Sequence, residues 1–280
     1  MANSSTLRSY FGLAETSKLI IEPVTRASLA LQVTTLLTTV NGSYRFPKIT
    51  DDVTAAWTLE NEEIAVSEIA GNEVVVTPRK IATLDPISNE MASDTNPKAQ
   101  DLIGKSVARS MVKKIDAAFF GAAPADETRQ PGGLEYLGTD VTAIAADPAA
   151  GLDAYVDAIA AANDLGVTLR AFVVDKDTGT ALAKMKVGAS SNQPLLSAGA
   201  TDATLPSIHG VPYLVSRDAL PGTAWGIPDD LAFTVLREDV TVDIDTSVWF
   251  SRDQTAIRGI VRIGFGFVEP AAVIKIKLAP

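Results

Sequence analysis

One histidine and one closely spaced pair of aspartates are the side chains in this sequence best suited to proton transfer or cation binding. His209 stands between Ile208 and Gly210 in SIHGVPYLV, and Asp243 and Asp245 alternate in VDID, so on a strand both carboxylates project to one face. Such a pair could share a proton or hold a divalent cation. A lone histidine beside a strand reads as a turn or core residue, however, and a carboxylate pair without a glycine-rich loop or further acids reads as solvent-facing. Gly264 and Gly266 in RIGFGFVEP supply half of a dinucleotide fingerprint, but no helix-forming segment follows to offer its N-terminus to a phosphate. They read as strand glycines that permit a bulge or a close backbone approach. No G-x-S-x-G, S-x-x-K or Walker-type sequence occurs, and the absence of cysteine excludes thiol catalysis, zinc-thiolate sites and disulfides. The sequence points away from an enzyme. A metal-dependent enzyme built on His209, Asp243 and Asp245 is the outlying alternative, and it predicts a monomer or small oligomer.

What the chain offers instead is charge laid out on extended elements. From Ala55 to Thr77 two β-rich runs, AAWTLE and NEVVVTP, flank an acidic segment with a turn signal at Ala70-Gly71-Asn72, the pattern of a long hairpin. It carries Trp57, Glu60, Glu62, Glu63, Glu68 and Glu73. Downstream, Ser93, Asp94, Thr95 and Asn96 offer capping side chains before Pro97, and Leu102, Ile103, Val107, Met111, Ile115, Ala118 and Phe119 recur at three- and four-residue spacing until Gly121. The spacing predicts one amphipathic helix, roughly 35 Å long at 1.5 Å per residue. Lys105, Arg109 and Lys113 repeat every four residues along it, with Lys98 and Lys114 close by, giving it a basic edge. That edge reads either as a solvated face or as the counterpart of the acidic hairpin on an adjacent subunit.

The composition agrees with a surface meant to be covered. The 280 residues are 46% hydrophobic with a mean hydropathy of +0.17, apolar for a solitary soluble protein. A net charge of -10 and a pI near 4.7 argue against an electrostatic binder of nucleic acid or anionic membrane. Neither a signal peptide nor a membrane span is recognisable, which predicts a protein made and used in the cytoplasm.

The remaining segments complete an α+β reading. Residues 1–50 read as an N-terminal arm, with VTRASLALQVTTLLTTV ambiguous between helix and strand and NGSYRFPKITDD as a breaker cluster. Residues 122–150 read as a connection between lobes. A second lobe follows: the helix GLDAYVDAIAAANDLG, the strand AFVVD, the helix KDTGTALAKMK, a breaker-rich stretch, the strand VPYLVS, and DALPGTAWGIPDD as loop. From Leu231 onward repeated alternation predicts strands that pack back on the helix of residues 97–121.

This order of segments resembles the major capsid proteins of tailed bacteriophages with the Hong Kong 97 type of fold. AAWTLENEEIAVSE with VVVTPRKIATLDPIS resembles the family's extended loop and its return strand; SDTNPKAQDLIGKSVARSMVKKIDAAFFGAAP with PGGL resembles the spine helix and its exit. AFVVDKDTGTALAKMK, QPLL and IHGVPYLVS resemble the axial lobe, and SVWFSRDQTAIRGIVRIGFGFVEPAAVIKI the closing strands. The likeness covers about residues 50–278. It implies an N-terminal arm at 1–50, an extended loop at 51–84, a peripheral domain with the spine helix at 85–145, an axial domain at 146–234 and closing peripheral strands at 235–280.

The resemblance further implies self-assembly through pentamers and hexamers into an icosahedral shell around double-stranded DNA that is enclosed and not read. The subunit would be assembled in the host cytoplasm and reside in the virion capsid, with scaffolding, portal and decoration proteins as partners and neither membrane nor cofactor. The contact residues would be Trp57, Glu60, Glu62, Glu63 and Glu68 on the loop and Lys105, Arg109 and Lys113 on the helix. Some members crosslink their shells through a loop lysine, but residues 51–78 contain no lysine, so that chemistry does not carry over. The resemblance comes without a long predicted helical scaffold region ahead of the arm, so the expectation is a separate scaffolding protein or none. An encapsulin, a compartment of the same fold that holds a protein cargo, is the near alternative.

Overall fold

The computed structural model describes residues 28–51, 57, 70–89, 97–146, 151–187, 191, 193, 195–196 and 206–278. In chain order these form α1 (Leu29–Val33), β1 (Thr35–Thr39), β2 (Tyr44–Asp51), β3 (Ala70–Val76), β4 (Arg79–Ser88), α2 (Pro97–Phe120) and a 3-10 turn (Leu134–Leu137). There follow β5 (Thr142–Ala146), α3 (Asp153–Asp164), β6 (Leu169–Asp175), α4 (Lys176–Lys184), β7 (Ser207–Ile208), β8 (Val211–Ser216), β9 (Thr223–Pro228), β10 (Ala232–Trp249), β11 (Gln254–Phe267) and β12 (Ile274–Leu278). The strands make a four-stranded sheet in the order β1-β10-β11-β4, a six-stranded sheet in the order β5-β12-β9-β6-β8-β7, and the two-stranded ribbon β2-β3.

Helix α2 joins the two large sheets. Pro97 is its first residue and it runs 24 residues, about 36 Å at the α-helical rise. Val107, Ala108, Met111, Ile115, Ala118, Phe119 and Phe120 are buried along one side, as the apolar spacing requires. They lie on the four-stranded sheet, where the strand β11 narrows to Gly259: a Cβ there would stand 2.8 Å from Met111 Cε. At its C-terminal end Phe119 meets Phe120 and Phe265 edge-on, both at 4.8 Å between ring centroids, and Phe267 at 5.9 Å. These geometries favour the ring quadrupoles as well as burial.

Alternate side chains of the six-stranded sheet enter two different cores. Ala171 and Val173 of β6 and Trp225 and Ile227 of β9 join the core around α2, while Phe172, Val174 and Ala224 join a second core under α3 and α4. Both faces of the central strands are therefore covered, and such strands show no polar alternation. This explains a departure from expectation: TAWGIP, read as loop because Gly and Pro frame it, is β9, buried along its whole length in the middle of the sheet. The strands VVVTP/RKIATLDPIS, AFVVD and VPYLVS and the helices of the second lobe fall where their patterns place them, and Gly166 ends α3 with a positive φ of 69°.

Two more departures concern strand partners. The outgoing strand of the ribbon is Tyr44–Asp51, within the segment read as arm and breaker cluster, and it pairs antiparallel with Ala70–Val76 from Tyr44↔Val76 to Asp51↔Ala70. Pro47 and the Asn41-Gly42 turn disguised it, yet a two-stranded ribbon leaves edges on which a proline is tolerated. The C-terminal strand β12 joins the six-stranded sheet between β5 and β9, whereas β10 and β11 form the long hairpin of the four-stranded sheet.

Candidate assembly surface

The ribbon is anchored at its root and bare beyond it. Phe46 stacks on Phe233 of β10 at 4.7 Å, and Val76 and Phe46 lie over β11 where it carries Gly264 and Gly266. A Cβ on Gly264 would stand 2.8 Å from Val76 Cγ1, and one on Gly266 would stand 2.6 Å from Val76 Cγ2, so only glycine lets the ribbon sit this close. Lys48 adds an ion pair to Glu269 just beyond β11, at 2.7 Å. Toward the other end of the ribbon burial ends: Ile49 is 62% exposed, and Gly71, Asn72 and Glu73 are exposed. An exposed Arg45–Glu73 pair at 2.6 Å runs diagonally from the root side of one strand to the other strand, and such pairs contribute about 0–1 kcal/mol.

Trp57, in the segment beyond the ribbon, is fully exposed. Glu60, Glu62, Glu63 and Glu68 lie outside the described residues. Arg109 and Lys113 sit one turn apart on the exposed side of α2 beside Lys114, as the four-residue spacing dictates; the side chain of Lys105 lies outside the described residues.

A second projecting element gave no signal in the sequence beyond its apolar residues. The turn between β10 and β11 presents Phe250 at 87% and Val248 at 58% exposure. It is braced from β4: Asn89 donates through its backbone N–H to Asp253 O at 3.0 Å and through Nδ2 to Asp253 Oδ1 at 2.6 Å, and Thr255 donates to Asn89 Oδ1. Asp253 itself is left-handed, with φ 51°. An aromatic ring held out on a stiff turn loses little entropy when a partner covers it.

The residues first considered for chemistry are otherwise engaged. His209 and Gly210, with φ of 48° and 88°, are the two central residues of the β7–β8 hairpin, where both positions need left-handed backbone. His209 is exposed there and serves the turn. Asp243 accepts from Arg258 across the hairpin at 2.6 Å. Asp245 accepts from the Ser247 hydroxyl at 2.6 Å and the Ser247 amide at 2.7 Å, which hold its carboxyl below the usual range. The two acids thus face different partners, and among the described residues no group of three or more acidic, histidine or cysteine side chains is placed to hold a metal ion.

Two buried polar arrangements lie within the body of the fold. Glu135, in the 3-10 turn after α2, is bonded by Lys275 of β12 at 2.6 Å through Oε1, with Lys275 Nζ also 4.9 Å from the centre of the Trp225 ring. Asp116, on the buried side of α2, accepts from the Ser28 hydroxyl at 2.6 Å and from the amides of Ala30 at 3.1 Å and Leu29 at 3.3 Å. Burial pushes the Asp116 carboxyl above the usual range; the Ser28 hydroxyl and the two amides draw it back, and nearby Asp218 raises it further. Sequence reading missed Asp116, although an acid four residues after Val112 and next to Ile115 falls inside the apolar stripe.

A known family has this organisation. The model of the phage capsid family matches residues 9–278. The chain belongs to the phage capsid family. It is a major capsid protein, a structural component of the phage head shell. Solved structures similar to this phage capsid protein include the capsid of a native GTA particle, with 18% identity over 92% of this chain and 90% of that one at a TM-score of 0.68. A structure from Mycobacterium phage Bobi has 14% identity over 90% and 91% of the two chains at a TM-score of 0.72, and one from Microbacterium phage Oxtober96 has 16% identity over 90% and 91% at 0.69. At such identities the likeness is one of fold. No curated protein matches the sequence. Among the described residues no helix is long and apolar enough to cross a membrane.

Proposed function

We propose that this capsid protein has the Hong Kong 97 type of subunit and builds the head shell by clasping its neighbours with the acidic ribbon. On this reading copies form pentamers and hexamers of an icosahedral shell, assembled in the host cytoplasm, that encloses double-stranded DNA without reading its sequence. The peripheral domain is the four-stranded sheet with α2, the axial domain is built on the six-stranded sheet, and the arm lies within residues 1–50. Scaffolding, portal and decoration proteins are the partners such a shell takes.

The observation that carries this reading is the contrast along the ribbon, glycine-seated at its root and exposed beyond it. From Ile49 to Pro78 the chain holds Asp51, Asp52, Glu60, Glu62, Glu63, Glu68 and Glu73 and no lysine or arginine. A segment so charged, carried on a ribbon exposed beyond its root, gains more from a cationic surface on another copy than from a body that is itself net acidic, in a chain whose overall net charge is -10. Lys105, Arg109 and Lys113 on α2 are the proposed counterpart, with Trp57 as an apolar anchor. Exposed pairs are individually weak and fix register more than strength; the apolar turn at Val248 and Phe250 supplies a contact of the other kind.

The test is a variant with Glu60, Glu62, Glu63 and Glu68 all changed to Lys. It folds with the wild-type circular dichroism spectrum and fails to form particles. Intact shells from this variant contradict the docking. Nucleic acid in purified particles accords with a head shell, and a co-purifying protein cargo with no DNA marks an encapsulin instead.

A further inference from the structure

Asp116 is the buried carboxylate of this chain whose placement asks for an explanation beyond packing. It is 7% exposed, in the middle of the apolar side of α2, and among the described residues its partners are hydrogen-bond donors and not a cation. All three donors, the Ser28 hydroxyl and the Leu29 and Ala30 amides, belong to one short stretch. That stretch is where the chain of residues 1–27 enters the described fold. Ser28 is itself fully buried, and its side chain also accepts from the Leu31 amide at 3.4 Å, so the carboxylate, the serine and the start of α1 form one closed group. The ionisable group that bears on it from the elements packed around it is Asp218, between β8 and β9, and it carries the same sign.

We propose that Asp116 is a proton-linked clasp on the root of the N-terminal segment, shut when its carboxyl is protonated and more easily opened when it is a carboxylate. The direction follows from burial of the carboxyl, with Asp218 adding to it, and the three bonds work against it. A proton on Oδ2 sacrifices the longest of the three contacts, that from Leu29 N–H, and leaves both bonds to Oδ1 in place. It also removes a charge shielded from water and held near Asp218. When the clasp opens, the carboxyl meets water and regains its ordinary acidity. The closed form therefore binds a proton more tightly than the open form, and by linkage acid closes the clasp while rising pH loosens it. This direction is opposite to that of a salt-bridged carboxylate, whose contact is lost in acid. The clasp holds Ser28–Ala30, where the described fold begins, against α2. In the head shell proposed above, on which this consequence rests, it makes the departure of the arm responsive to pH.

The experiment is residue-resolved amide hydrogen exchange on the full chain from about pH 4 to about pH 8, corrected for intrinsic exchange. Protection of Ala30, whose bond to Oδ1 survives protonation, falls as pH rises, by up to about tenfold per pH unit where the closed clasp alone holds its proton, and then levels off. Val173, in the middle of the six-stranded sheet, reports global opening and keeps constant protection. Asp116→Asn abolishes the pH dependence at Ala30. Ser28→Ala, which removes a donor favouring the carboxylate but leaves the acid in place, moves the transition to higher pH. Protection that is flat in the wild type, that rises with pH, that keeps its slope in Asp116→Asn, or that is matched by Val173 overturns the proposal. Particle formation is scored separately, so a failed clasp with intact shells is distinguishable from a chain that forms none.

Discussion

Gly266→Ala tests whether the ribbon is seated as closely as its glycines imply. The new Cβ would lie 2.6 Å from Val76 Cγ2 and 3.1 Å from Phe46 Cε2, both on buried side chains at the ribbon root. Neither can withdraw without lifting the ribbon, because Phe46 is stacked on Phe233 and Val76 also contacts Gly264. Overpacking of this kind costs about 1–3 kcal/mol, and each kcal/mol lowers the melting temperature by about 2–4 °C in a domain of this size. Val76→Ala alone costs about 1–3 kcal/mol in lost burial. It also removes the methyl groups that the Gly266→Ala side chain strikes, so the double variant should be more stable than the sum of the single effects, by about 1 kcal/mol or more. Calorimetry of the four proteins measures the cycle, and particle yield shows whether a lifted root spoils the clasp. A Gly266→Ala protein that melts like the wild type, with no coupling to Val76→Ala, refutes the close seating.

Two further outcomes follow from buried polar groups. Glu135→Ala leaves the Lys275 ammonium, whose side chain is only 12% exposed, without its carboxylate, and costs about 3–5 kcal/mol in chemical denaturation; a change within experimental error refutes the pairing. Asp175→Ala removes the cap whose Oδ2 accepts from the Asp177 and Thr178 amides at the start of α4, costing about 1 kcal/mol and selectively lowering exchange protection over Lys176–Lys184.

The sequence was most legible where local signals agreed. Capping residues, Pro97, a heptad-like apolar stripe and Gly121 all demanded the same helix, and α2 follows them to within a residue. Alternation exposed β10 and β11 because buried and less buried side chains alternate along parts of each strand, as at Ile260–Ile263 of β11. The pattern failed where both faces are covered, as in β9, or where an edge tolerates proline, as in β2. Asp116 was hidden for another reason: its value lies in donors 86 to 88 residues away in the chain, and no local period records such a contact. Of the proposed contact residues, charge and spacing identified the exposed basic edge, while the braced turn at Phe250 became visible only through Asn89.

Negative-stain microscopy of the purified full chain, with mass measured by light scattering, tests the central claim most directly. Closed particles of many copies and megadalton mass are expected. A chain that remains a monomer or small oligomer under every assembly condition, with the ribbon beyond Ile49 protected from exchange in the free subunit, contradicts that claim.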